Sequence, residues 1–184
     1  MSDRPLHYRS ITQLASMLRS GETTPTDLTE YFLARIEKLN GPLKAFNLVT
    51  ADRAFAEAKS AEMLLAAGRD LGPLHGIPYG VKDIYDVAGL PTTAGSQTLD
   101  STPKTEESEV TRRLAAAGMI VLGKTITVEF AKGIIGINHI QGTPHNPWCR
   151  EQFIPGGSSA GTAVAVASGM APMGLGSDTG GSIR

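Results

Sequence analysis

All but two of the 21 glycines in this 184-residue chain, Gly21 and Gly41, follow residue 67. Glycine serves tight turns and close backbone approach and weakens helix interiors, so the two parts cannot fold alike. Residues 1–67 read as helical. Ser10 and Gln13 have capping-box spacing, Ile11, Leu14, Ala15 and Leu18 form one apolar face, and Gly21 stops it. Thr24, Pro25 and Asp27 open a second helix with the stripe Leu28, Tyr31, Phe32, Ile36 and Leu39, which Asn40-Gly41 should end. The spacing of Ala54, Ala58, Ala61 and Leu65 predicts a third over residues 51–67.

Residues 68–184 read as a sheet core. Ile77–Ile84, Met119–Leu122 and Ala171–Leu175 have strand character. Ser108–Ala117 reads as a helix with Val110, Leu114 and Ala117 inward, and Thr162–Ser168 as a small-residue helix. This alternation predicts an α/β fold, mainly parallel, within one domain. Hydrophobic residues at 41% and charged residues at 19% exclude a disordered chain. The near balance of 17 basic and 18 acidic side chains excludes binding nucleic acid by bulk electrostatics. Cys149 alone cannot form an intramolecular disulfide or a multi-cysteine zinc site, and fits a reducing compartment. M-S-D-R-P-L-H-Y-R-S has no signal-peptide core, and no apolar run approaches the roughly twenty residues of a membrane span. The expectation is a cytoplasmic chain. Its stop at Arg184, soon after a Gly-Gly pair, reads as a truncation.

Three motif matches lack their required context. Gly118–Thr125 satisfies the Walker A expression, but its intervening residues are apolar and strand-like, so a strand edge is the better reading. Ser101-T-P-Lys104 matches S-x-x-K with proline inside it, and reads as a surface turn. Gly157-S-Ser159-A-Gly161 matches a nucleophile elbow, yet no histidine follows it; Ser159 reads as a cap on a helix over residues 160–168.

A different arrangement holds together better. Ser158 and Ser182 lie 24 residues apart, each directly after a Gly-Gly pair, and Lys82 sits upstream inside the apolar run Ile77–Ile84. Gly180 and Gly181 let backbone N–H groups approach a ligand, which suits an oxyanion. A serine nucleophile needs a base, and lysine can serve only when desolvated; Val81 and Ile84 offer an apolar setting.

These blocks resemble the amidase signature family, in which G-G-S-S-[GSA]-G leads to G-x-D-T-G-G-S-[IV]-R. The match runs from G-I-P-Y-G-V-K-D to Arg184 and takes in Thr127–Ala131 and Gly142–Pro147. The resemblance implies a mixed β-sheet flanked by helices, of which residues 1–184 would be the N-terminal portion of a single amidase domain. It implies Ser182 as nucleophile, Ser158 as bridging serine on a cis Gly157–Ser158 bond, and Lys82 as base. It also implies N–H groups around Thr179, Gly180, Gly181 and Ser182 as oxyanion donors. Ser159 would support them by hydrogen bonding, and Asp178 and Arg184 would brace the loop. The reaction implied is hydrolysis of a small-molecule carboxamide through an acyl-enzyme, with no metal or organic cofactor. Neither nucleic acid nor a membrane is an expected partner, and a homodimer is admitted for a full-length form.

Three alternatives stay open. One is an amidotransferase component supplying ammonia to a tRNA-bound partner, against which the segment G-I-N-H-I-Q-G-T-P-H-N-P weighs. The second is a truncated, inactive fragment, and the third a nucleotide-binding domain built on Gly118–Thr125. Residues 1–184 alone are expected to be inactive, because later strands would be missing from the sheet.

Overall fold

The computed structural model describes residues 4–149, 151 and 153–184. Met1–Asp3, which open the segment read as lacking a signal-peptide core, lie outside the described residues. Helix α1 (Ile11–Ser20) opens with a reciprocal capping box between Ser10 and Gln13 and ends at Gly21, whose φ of 74° is left-handed. Helix α2 (Pro25–Leu43) opens with a second box, Thr24 with Asp27, and proline in its first turn.

Helix α2 does not stop at Asn40-Gly41. It continues through Pro42, and Lys44 closes it in the left-handed region, its N–H donating to the Asn40 carbonyl. The Asn40 side chain instead reaches forward. Its oxygen accepts from Ala45 and Phe46 N–H, and its Nδ2 donates to the Phe46 carbonyl. This amide steers the chain into β1 (Phe46–Val49), a strand inside the part read as wholly helical. Helix α3 (Ala51–Ala66) follows, with Ala54, Ala58 and Ala61 buried.

Strands β2 (Pro78–Lys82) and β3 (Ile120–Thr125) are buried throughout, and β4 is only Gly174–Leu175. Between β2 and β3, α4 (Glu109–Ala116) buries Thr111, while Val110, Leu114 and Ala117 are only half-buried. The Thr111 hydroxyl donates to the Asp86 carbonyl, which fixes that face inward. The sheet order is β1-β3-β2-β4, with β2 parallel to both neighbours and β1 antiparallel to β3. The sheet is therefore mixed, in an α/β fold. No helix among the described residues is long and apolar enough to cross a membrane.

Strand alternation sorts the side chains by face. Gly80 and Lys82 share a face with Thr125, whose hydroxyl pairs with Thr162 of α5 (Ala160–Ala167) at 2.7 Å. Tyr79, Val81 and Asp83 turn the other way, and there Lys124 of β3 meets Asp83 at 2.7 Å. Gly118–Thr125 is thus a turn and a strand, and its lysine is bound to a carboxylate inside the protein. The nucleotide-binding reading falls with it.

Helix α5 lies close to the sheet. A Cβ on Gly161 would sit 2.2 Å from the Ala45 carbonyl oxygen and 2.5 Å from the Ile126 nitrogen. Both are backbone atoms that cannot yield as a side chain would. Gly161→Ala should therefore destabilise the chain by about 3 kcal/mol, the upper end for overpacking. Gly41, inside α2, has nothing within 4 Å of its Cβ position. Gly41→Ala should stabilise by roughly 0.5–1 kcal/mol through helix propensity. Urea unfolding midpoints of the two variants should move in opposite directions.

Candidate active site

Lys82 ends β2, fully buried, on the face that meets α5. Its amine donates to Ser158 Oγ at 2.6 Å and to Ser177 Oγ at 2.8 Å, so its near neighbours are hydroxyls. Burial pushes its pKa down to about 8, and the more distant Asp178 carboxylate opposes the shift. Desolvation comes from the closed sheet and not from the sequence neighbours. Val81 points to the opposite face, and Ile84 is only half-buried.

Ser158 is also fully buried and follows a cis peptide bond from Gly157. Its carbonyl accepts from Val128 N–H and from Thr127 Oγ1, each at 3.1 Å, which ties the turn to the segment after β3. Gly157 has no room for a side chain: its Cβ would meet the Gly136 nitrogen at 2.8 Å. Ser159 stands at the N-terminus of α5, but its hydroxyl does not cap the helix. It donates to the Ser177 carbonyl and accepts from Ser177 N–H, both at 3.2 Å. Among the described residues no strand leads into this turn, so the hydrolase-elbow geometry is absent.

Ser177 is not marked by the motifs in the sequence. It is held by Ser159 through its backbone while its hydroxyl touches Lys82. The available signal is a second hydroxyl residue five positions before Ser182, which the Gly-Gly-Ser repeat overshadows.

Ser182 lies on the loop after β4. Its carbonyl accepts from Ser159 N–H at 3.1 Å, which brings the loop against the start of α5. Among the described residues its hydroxyl has no hydrogen bond, so a direct Ser158–Ser182 link is not formed. The loop is organised by Asp178, whose carboxylate accepts from the backbone N–H of Gly181, Ile183 and Arg184 and from the Arg184 guanidinium. The guanidinium first, and then these N–H groups, hold Asp178 well below the usual carboxylate range. Gly181 N–H, one of the expected oxyanion donors, is engaged by Asp178 at 2.8 Å in this structure. The N–H groups of Thr179 and Gly180 make no hydrogen bond among the described residues, and both residues are exposed.

Ser182, Gly180, Gly181, Ser159 and Gly157 line a cavity of about 610 Å³ with Ile134, Val166 and Ile183 at its apolar side. Lys82 and Ser158 lie behind this wall, closed to solvent. The arrangement has an accessible hydroxyl in front, a buried hydroxyl behind it, and a desolvated amine last. The buried pair keeps the base out of water, while the cavity hydroxyl of Ser182 is not hydrogen-bonded to it in this structure. Ser101–Lys104, by contrast, is irregular chain running beside Leu90.

Residues 27–184 match the amidase family. The A component of glutamyl-tRNA(Gln) amidotransferase from Thermobifida fusca (strain YX) is 42% identical over 175 residues, covering 95% of this chain and 35% of that protein. Among solved structures, an amidase superposes with a TM-score of 0.88 at 39% identity, over 96% of this chain and 40% of the other. The native peptide amidase from Stenotrophomonas maltophilia gives 0.83 at 36% identity, over 91% and 35%. The chain thus spans a little over a third of the length of these relatives. On a match that takes in all but the first two residues of α2, every strand of the sheet and the whole of the lysine–serine arrangement, the chain belongs to the amidase family.

Proposed function

We propose that this segment carries the reacting groups of a carboxamide hydrolase. The observation that carries the reading is Lys82: a buried amine, its pKa lowered by burial, 2.6 Å from a buried serine hydroxyl. In this reading Ser182 Oγ attacks the amide carbonyl and passes its proton to Ser158 Oγ. Ser158 gives its own proton to the neutral Lys82 Nζ. The tetrahedral oxyanion is met by the free N–H groups of Thr179 and Gly180, with Gly181 left out because Asp178 holds it. Lys82 then returns a proton through Ser158 to the departing nitrogen, leaving an acyl group on Ser182 and releasing ammonia or an amine. Water, activated along the same path, frees the acid. Ser177 and Ser159 keep the amine and the nucleophile loop in register, and Asp178 with Arg184 braces that loop.

A second reading draws on the relatives that are glutamyl-tRNA(Gln) amidotransferase components. Here the amide is glutamine and the ammonia passes to a partner. Ammonia release from glutamine, compared with release from simple aryl and aliphatic amides, separates the two.

A fluorophosphonate probe applied to a full-length protein carrying this segment should label the peptide containing Ser182. Label on Ser159 would overturn the assignment.

The pH dependence follows from the base. Lysine accepts a proton only when neutral, and with a pKa of about 8 roughly a tenth is neutral at pH 7. Turnover should therefore fall on the acid side with a midpoint near 8. Lys82→Ala should lose about 10²- to 10⁴-fold in kcat and lose that limb, while circular dichroism shows a folded protein. A flat acid limb in the wild type would contradict the relay.

A further inference from the structure

A neutral amine has two N–H bonds and one lone pair, so a lysine base must be aimed as well as desolvated. Among the described residues Lys82 Nζ has two hydrogen-bond partners, Ser158 Oγ at 2.6 Å and Ser177 Oγ at 2.8 Å. The other hydroxyls on its face, Thr125 and Thr162, are bound to each other at 2.7 Å. If the lone pair is to take the Ser158 proton, the bond to Ser177 must run from nitrogen to oxygen. A hydroxyl oxygen has the lone pairs to accept it.

Ser177 is held from two directions. Its N–H donates to Ser159 Oγ and its carbonyl accepts from the same hydroxyl, both at 3.2 Å. One residue earlier, the Gly176 carbonyl accepts from the Tyr85 hydroxyl at 3.2 Å. Tyr85 belongs to the turn that leaves β2, in which the N–H groups of Ile84 and Tyr85 donate to the Lys82 carbonyl at 2.7 and 3.1 Å. One phenol therefore joins the backbone of Lys82 to the backbone beside Ser177, independently of the amine itself.

We propose that Ser177 is a positioning residue that takes one N–H of the neutral Lys82 amine and so turns its lone pair onto Ser158. This rests on the reading of Lys82 as the base. Ser177 does not line the cavity beside Ser182, and it acts only through the amine. When Ser158 hands over its proton, its O–H bond breaks and a third N–H bond forms at Nζ, while the bond to Ser177 stays in place. The amine need not rotate between the two states.

The hydrogen bond from an ammonium is charge-assisted and stronger than that from an amine. Ser177 therefore raises the proton affinity that burial lowers. The charge that acts on Lys82 is Asp178, from the loop after β4, and that carboxylate is paired with Arg184. Asp83 and Lys124 pair with each other on the opposite face of the sheet. Helix α5 and strand β4 carry no ionisable side chain, and the Tyr85 phenol is spent on the Gly176 carbonyl. Removing the Ser177 hydroxyl thus changes the aim and the proton affinity of the amine without changing any charge.

The test is the pH profile of amide turnover in a full-length protein carrying this segment. Ser177→Ala should lower the plateau kcat by about 10- to 100-fold with KM unchanged, because the amine is no longer aimed. It should also move the midpoint of the acid limb down by on the order of half a pH unit, because an acceptor for the ammonium is gone. Ser177→Thr keeps the oxygen and should keep both values near those of the wild type. A merely structural serine would give a lower melting temperature in Ser177→Ala with the midpoint unmoved, and that result overturns the proposal. A Ser177→Thr protein as slow as Ser177→Ala overturns it as well. Should Ser177→Ala fail to fold, Ser177→Cys decides: sulfur is a weak acceptor, and a wild-type plateau and midpoint there refute the aiming role. Failure of the base reading is distinct: it shows as an acid limb that survives Lys82→Ala, whatever the Ser177 variants do.

Discussion

The hydrogen bond between Lys82 and Ser158 depends on nearly everything else in the chain. An amine can sit unpaired with any carboxylate inside a protein only where the loss of hydration is enforced by surrounding structure. Here the enforcement is the sheet itself. Strand β2 is central, paired on both sides and buried at every residue, so its last side chain has no route to water. On one side β3 supplies Thr125, and across the face α5 closes the space with Thr162 and the serines at its start. The absence of side chains at Gly157 and Gly161 is part of the same closure. Each lets backbone lie against backbone where a methyl group would hold the layers apart.

Local signals are legible in the sequence and long-range ones are not. The two capping boxes, Ser10 with Gln13 and Thr24 with Asp27, involve residues three apart and appear in the structure as read. The end of α2 is misleading because Asn40-Gly41 looks like a stop. Asn40 is in fact committed to Ala45 and Phe46, beyond the helix it was expected to terminate. Strand β1 is four residues long and pairs with residues 123–125, so no periodicity in its own neighbourhood could reveal it.

The site divides in the same way. Lys82, Ser158 and Ser182 stand out because glycine pairs and an apolar run frame them, and resemblance supplies their order. Ser177 has no such frame. Lys124 offers the same signal as Lys82, a lysine inside an apolar run, but the Walker-like pattern around it absorbs that signal. The engagement of Gly181 N–H by Asp178 is beyond sequence reasoning, because the aspartate accepts from residues three, five and six positions ahead in a turn with no regular structure.

The contacts of Lys82 also set an order of events during synthesis. Its two hydroxyl partners follow it by 76 and 95 residues. At a translation rate of roughly 5–20 residues per second, Lys82 leaves the ribosome on the order of 4–20 s before them. Throughout that interval the amine is hydrated and charged like any surface lysine. Its desolvation comes only when α5 and the loop after β4 arrive, so the lowered proton affinity is acquired only once those elements have packed against β2. A nascent chain that stalls before Ser158 carries an ordinary ammonium group at the end of β2.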